Sequence, residues 1–145
     1  MSQNLALYQQ LGPENFSAAI GNVAPYFASV EPQFVDLRKG FAEVRIRNQR
    51  KVHNHIGTVH AIALCNGAEL VAGTCTDVSI PQGARWLPIA MTVQYLAKAK
   101  TDIRVVTEAE GVDWSQPGNI EVPVGAYDTE GTKVLSAVIT MNVKH

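Results

Sequence analysis

The segment Asn54-His55-Ile56-Gly57-Thr58-Val59-His60-Ala61-Ile62, followed nine residues after His60 by Glu69, holds the chain's densest set of groups able to move a proton or meet a developing charge. Glu69 is flanked by Ala68, Leu70, Val71 and Ala72. Enclosure there disfavours a charged carboxyl unless hydrogen bonds or amides compensate, and a carboxyl so held suits base or nucleophile chemistry. At the other end of the same apolar stretch, the amides around His60 and Ala61 are the free donors of a helix start. They aim where negative oxygen develops on an attacked carbonyl. Acid and amides together make an acyl-transfer set. Taken singly, Asn54 and His60 read as groups that cap and brace a buried helix, whereas an acid inside an apolar helix is harder to explain by packing alone. Asn66, three residues before Glu69, either holds that carboxylate or cross-links two helices.

The spacing restricts how these groups meet. At about 100° and 1.5 Å per residue, nine helical steps put Glu69 on the face opposite His60 and roughly 13–14 Å along the axis. One chain therefore does not bring them together. A shared site requires a second copy of the helix, antiparallel beside the first, which makes a twofold dimer the expected working unit.

Other chemistry is weaker. His53, His55 and His60 suggest a metal reading, with Glu69 as an added oxygen ligand, but no metal and no cofactor is expected. Cys65 precedes Glu69 by one helical turn, and a nearby carboxylate raises a thiol's pKa, so Cys65 reads as a small core residue. Cys65 and Cys75 lie ten positions apart in one helix, roughly 15 Å between backbones, too far for a disulfide.

The elements that must position these groups follow from hydrophobic periodicity. Pro13 to Pro25 reads as a short amphipathic helix carrying Phe16, Ile20 and Val23, begun by Pro13 and stopped by Pro25. Val30 to Leu37 and Phe41 to Arg47 form a hairpin across Arg38-Lys39-Gly40. The polar, His-rich stretch Asn48 to Gly57 reads as a functional loop. Thr58 to Thr74 is a helix apolar on every face, hence enclosed. Strand-like runs follow at Arg85 to Ala97, Thr101 to Ala109, Ile120 to Asp128 and Lys133 to Val143, with Pro88 marking a bulge or edge. This order is α+β, and its simplest packing wraps an antiparallel sheet around the central helix.

The chain's 145 residues suit one domain over 1–145. With 46% hydrophobic and 17% charged residues it can fill a core, and disorder is excluded. A formal charge of -1 supplies no electrostatic footprint for nucleic acid or anionic lipid. No apolar run reaches a membrane span and the first residues lack a basic-then-apolar leader, so a cytoplasmic protein is expected.

Asn54-x-x-Gly57-x-x-His60, with an acid at position 69, resembles the Asn-x-x-Gly-x-x-His-Gly-Gly signature and downstream helix acid of hotdog-fold acyl-CoA thioesterases, especially those similar to phenylacetyl-CoA thioesterase. The resemblance implies a hotdog fold and hydrolysis of a CoA thioester. It implies that Glu69 activates water or attacks the thioester, Asn54 orients the water or carboxylate, the Ala61 amide polarises the carbonyl, and His60 bonds near the thioester or braces the loop. Gly57, Ile62 and Asn66 would then border the substrate, and Lys98, Lys100 and Arg104, along with Arg85, are the candidate cations for CoA phosphates. Three departures stand out: Ala61 and Ile62 replace the two motif glycines, and the acid is Glu rather than Asp. Ala61 keeps its amide, whereas Ile62 fills space where an acyl group could sit. The implied partners are an acyl-CoA and a second copy of the chain, with strand-edge pairing as a route to a tetramer. Two other readings stay open. One is a non-catalytic acyl-CoA binding module. The other is an acyl thioester dehydratase or hydratase using His55 and Glu69, although the proline-rich approach of those enzymes is missing here.

Overall fold

The computed structural model describes residues 2–145. Helix α1 spans Gln3–Val23 and is followed by the single turn α2, Pro25–Ala28. The hairpin strands are β1, Gln33–Arg38, and β2, Phe41–Ile46. A 3-10 turn at Arg50–Val52 leads to the long helix α3, Ala61–Ser79. Then come β3, Arg85–Tyr95, β4, Ile103–Glu108, β5, Gly118–Tyr127, and β6, Lys133–Lys144. The six strands form one antiparallel sheet in the order β1-β2-β4-β5-β6-β3, and α3 packs against its inner face. This is the expected α+β hotdog arrangement.

The pattern of each central strand explains the wrap. On β2, Ala42, Val44 and Ile46 turn inward and are fully buried, while Arg45 faces out. Ile103 and Val105 on β4 and Leu135, Ile139 and Met141 on β6 complete the surface that receives α3. From α3 the core takes Leu64, Ala68, Leu70, Val71 and Cys75. Burying each large aliphatic side chain contributes about 1.5–3 kcal/mol. Packing therefore holds α3 in place of the weak helix propensity of its Gly and Thr residues. A Cβ on Gly67 would lie 2.7 Å from Ile46 Cδ1, so the missing side chain sets how closely helix and sheet approach.

Two helices differ from expectation. The first begins ten residues earlier than Pro13. Ser2 Oγ accepts from the Leu5 N–H at 3.0 Å and caps it, and the helix breaks at Gly12 (φ 78°) before resuming at Pro13. The early segment stays because Tyr8 meets Phe16 edge-on at 5.4 Å, and Phe16 in turn meets Phe34 at 5.0 Å. Pro25 does not merely stop the helix; it opens α2. At α3 the helix runs past Thr74 to Ser79. Thr74 and Thr76 return their hydroxyls to the Leu70 and Ala72 carbonyls rather than breaking the turn, and Pro81 follows the end.

Strand β3 is an edge, paired only with β6, and its register slips between Pro88 and Ala90. Leu87, Ile89, Met91 and Tyr95 on it are exposed. Among the described residues no helix is long and apolar enough to cross a membrane.

Candidate functional site

Residues 54–58 form a closed turn. Asn54 Oδ1 accepts from the Ile56 and Thr58 amides (3.2 and 3.1 Å), and its Nδ2 donates to Thr58 Oγ1 at 2.8 Å. The Gly57 N–H donates to the Asn54 carbonyl at 3.2 Å, with Gly57 at φ 79°. An Asn folded on its own backbone and a left-handed Gly three residues later are what this turn needs. The Asn-x-x-Gly part of the motif is thus a local folding unit. The Asn54 amide is spent inside it, so the freedom to orient a water that the resemblance implies for Asn54 is not seen in the protomer.

His60 is the N-cap of α3, its Nδ1 accepting from the Ile62 N–H at 3.0 Å. An accepting Nδ1 carries no hydrogen, so the neutral ring bears its proton on Nε2, at the exposed end. The cap consumes the Ile62 amide and leaves the Ala61 N–H without an acceptor among the described residues. The two residues before it are fixed: the Val59 N–H donates to the Ala99 carbonyl at 2.8 Å, and the His60 N–H to the Val52 carbonyl at 2.7 Å. A free amide on a pinned helix start is a preorganised donor for an oxyanion.

Ala61 opens on a cleft of about 340 Å³, lined also by Asn54, Leu64, Tyr95, Lys98 and Leu135. Three sequence candidates, Asn54, Ala61 and Lys98, therefore share one wall-to-wall space. Lys98 also borders an adjoining hollow with Lys100, Asp128 and Glu130. Among the described residues neither lysine is paired with a carboxylate. Arg104 is elsewhere. It lies on the outer face of β4, donating to Glu43 at 3.3 Å and stacking over the Tyr127 ring, and does not join the lysines.

Glu69 is not at this cleft. It faces outward from the middle of α3 and is exposed, as is Ile62 two turns earlier. The enclosure expected for Glu69 is absent in one chain, because α3 leaves an uncovered stripe between α2 and β3. Asn66 beside it is 8% exposed and cross-links helices: Nδ2 donates to the Tyr26 carbonyl (3.2 Å) and to Ser29 Oγ (3.4 Å) of the α2 turn. Its Oδ1 is buried without a donor. Cys65 has its thiol pushed up by burial, opposed by a hydrogen bond from Tyr95, so the expected cause, Glu69, is not the operative one. His55 stands exposed at the tip of the turn, and His53 spends Nε2 on Asn48. Among the described residues no three His, Cys, Asp or Glu side chains are arranged to hold a metal.

The tethers of this region escaped the sequence reading. Asp102 takes the Asn48 N–H at 2.7 Å and pairs with Arg45. Glu31, at φ 47°, receives Arg47, Gln49 and Lys51, which hold its carboxyl down at about 2. These partners are 16 to 57 residues apart, and only the folded sheet brings them together.

Solved structures share this architecture. A structural-genomics crystal structure is 58% identical, covering 98% of this chain and 96% of its own, with TM-score 0.90. A Haemophilus influenzae thioesterase is 8% identical over 87% of this chain and 88% of its own, TM-score 0.75. A Pseudomonas aeruginosa protein described as a probable thioesterase is 22% identical over 86% and 89%, TM-score 0.76. The last two share the fold, a thioesterase-like hotdog. Among curated proteins nothing matches. Residues 12–143 match the family model described as Domain of unknown function (DUF4442), and the chain belongs to that family.

Proposed function

We propose that the protein is an acyl-CoA thioesterase whose site is shared between two subunits. The observation that carries this reading is the unpartnered Ala61 amide, pinned at the start of α3 and opening on a cleft that also holds Asn54 and Lys98. In the proposed reaction the thioester carbonyl oxygen accepts from the Ala61 N–H. Glu69 of a second copy removes a proton from water, or attacks directly, and the new C–O bond pushes electrons onto that oxygen. Collapse breaks the C–S bond; on the water route the thiolate takes the proton that Glu69 holds, and on direct attack it leaves a mixed anhydride that water then hydrolyses, which supplies the thiol proton and frees Glu69. His60 Nε2–H, on the exposed side of its ring, is a second donor beside the carbonyl. Asn54 and Gly57 act by shaping the turn, while Ile62 and Asn66 border the acyl side and Lys98 and Lys100 meet the phosphates.

The need for a second copy is supported by the same distances that separate the groups in one chain. Glu69 and the helix start are roughly 13 Å apart along α3. Helix α3, with its exposed Glu69 and Ile62, packs beside the edge strand β3, which carries exposed Leu87, Ile89 and Met91. An antiparallel copy laid along that edge carries its own Glu69 toward this Ala61.

The test is a thiol-release screen over short, long and aromatic acyl-CoAs, with Glu69→Gln alongside. The expected result is hydrolysis by the unaltered protein and a loss of at least about 100-fold in the variant, with the oligomer intact. Unchanged turnover in the variant refutes the role of Glu69. CoA binding without thiol release by either protein favours the binding module, and an enoyl product from a 3-hydroxyacyl thioester favours the dehydratase.

A further inference from the structure

Residues 47–60 form a strap from β2 to α3 that carries the Asn54 turn and ends at the Ala61 amide. Beside it runs the loop 96–102, from β3 to β4, which carries Lys98 and Lys100. Three side chains that the proposed reaction leaves unused, Asn48, His53 and Asp102, join the two. Asn48 spends its backbone N–H and both polar atoms of its side chain there. Its backbone N–H donates to Asp102 Oδ1 at 2.7 Å, and its Nδ2 donates to the Lys100 carbonyl at 3.0 Å. Its Oδ1 lies 2.5 Å from His53 Nε2, and since an amide oxygen only accepts, the ring donates from Nε2. Arg45 takes the other oxygen of Asp102 and offsets a negative charge close to the two lysines. At the far end of the strap the Val59 N–H donates to the Ala99 carbonyl at 2.8 Å. The lysine loop is therefore tied to the strap at two places, and the second tie is two residues from Ala61.

Resting on the reading of the site as one for CoA thioesters, we propose that Asn48, clamped by His53 and Asp102, is a positioning residue that fixes the distance from Lys98 and Lys100 to the Ala61 amide, and so sets where the thioester of a phosphate-anchored CoA arrives. Asn48 is exposed and His53 and Asp102 are half-buried, so water competes for the same bonds and their loss changes global stability little. Geometry is another matter, because a displacement near 1 Å costs about 100-fold in rate when the reacting carbonyl must meet a fixed donor.

The test compares Asn48→Ala, His53→Leu and the donor-retaining His53→Gln on three readouts. By amide hydrogen exchange on the free protein, Asn48→Ala and His53→Leu release Val59 and residues 97–102 at least tenfold, while the amides of β5 and β6 stay unchanged. By calorimetric titration with CoA itself, these variants bind at least tenfold more weakly, and His53→Gln binds as the unaltered protein does. In hydrolysis, Asn48→Ala raises KM for an acyl-CoA at least tenfold but leaves kcat/KM within twofold for the same acyl group on N-acetylcysteamine, which lacks the phosphates. Unchanged exchange at Val59, unchanged CoA affinity, absence of CoA binding by the unaltered protein, or equal losses on both esters overturns the proposal. If the unaltered protein releases no thiol while CoA affinity still falls in Asn48→Ala, the hydrolase reading fails and the positioning role stands.

Discussion

Gly57→Ala separates the backbone requirement of the turn from steric crowding. Gly57 sits at φ 79°, and a Cβ built on it meets nothing within 4 Å, so an Ala there clashes with no neighbour. The whole cost is conformational, about 1–2 kcal/mol for an L residue held in the left-handed region. For a chain of this length that lowers the melting temperature by about 3–8 °C. Gly57→Asn, whose side chain tolerates this region, loses visibly less. Gly111→Ala is the control: open space and no positive φ predict no loss, or a slight gain from a stiffer unfolded chain. Thermal unfolding of the three variants decides the matter. The turn also delivers the chain to His60 and Ala61, so Gly57→Ala loses proportionally more thiol release than stability. Equal melting temperatures for Gly57→Ala and Gly111→Ala would refute the reasoning, since both sites are sterically empty and differ only in φ.

Asp77 accepts from Asn4 Nδ2 at 2.7 Å and from Trp86 Nε1 at 2.9 Å, tying α1 and β3 to α3. Asp77→Ala therefore costs about 1–3 kcal/mol in denaturant unfolding, and Trp86→Phe recovers part of the loss in the double variant by removing the stranded donor. Burial pushes the Cys75 thiol up to about 11 from 9.0. Between those values the unfolded chain has released the proton and the folded one retains it, so stability is full below about pH 9 and falls by about 2–3 kcal/mol as pH rises toward 11. Cys75→Ala flattens that part of the stability profile, and a parallel decline in the variant would assign it to other groups. Met91→Lys, an exposed position on the edge strand β3, places a charge in the proposed interface. Sedimentation should then shift from twice 15.7 kDa to 15.7 kDa, with thiol release lost although Glu69 is intact.

The sheet and its central helix were legible because their signals are local. Alternation in Ala42, Val44 and Ile46 against Arg45 names the inward face of β2 without any knowledge of its neighbours. An apolar stretch of helical length can only be enclosed by such faces. Residues 3–11 were not legible as helix, since their Leu5 and Tyr8 depend on Phe16 and Phe34 for a place to pack. The site divides in the same way. The turn Asn54–Gly57 and the His60 cap close over two to four residues and follow from residue types. The Asn48–Asp102 and Glu31–Lys51 tethers, in contrast, join segments that no local pattern relates. Lys98, Lys100 and Arg104 show the limit of proximity in sequence. Arg104 is four residues from Lys100, but the strand pleat sends it to the outer face, where Glu43 and Tyr127 hold it.

Glu69 poses the sharpest disagreement between sequence and protomer, and the disagreement is informative. Its helix is composed as if every face met apolar matter, yet one chain leaves Ile62 and Glu69 exposed on one side of it. A surface helix normally answers such exposure with several polar residues along the stripe; here Ile62 is 52% exposed and Gly73 lies further along the same face, against Trp86. Beside α3 runs an edge strand that exposes Leu87, Ile89 and Met91, with Arg85 and Pro88 as its only charge and proline. The two features lie on adjoining elements and have one economical explanation, a second copy covering both at once. That same covering would give Glu69 the enclosure its neighbours in sequence imply, and would bring it within reach of an amide that its own chain holds too far away.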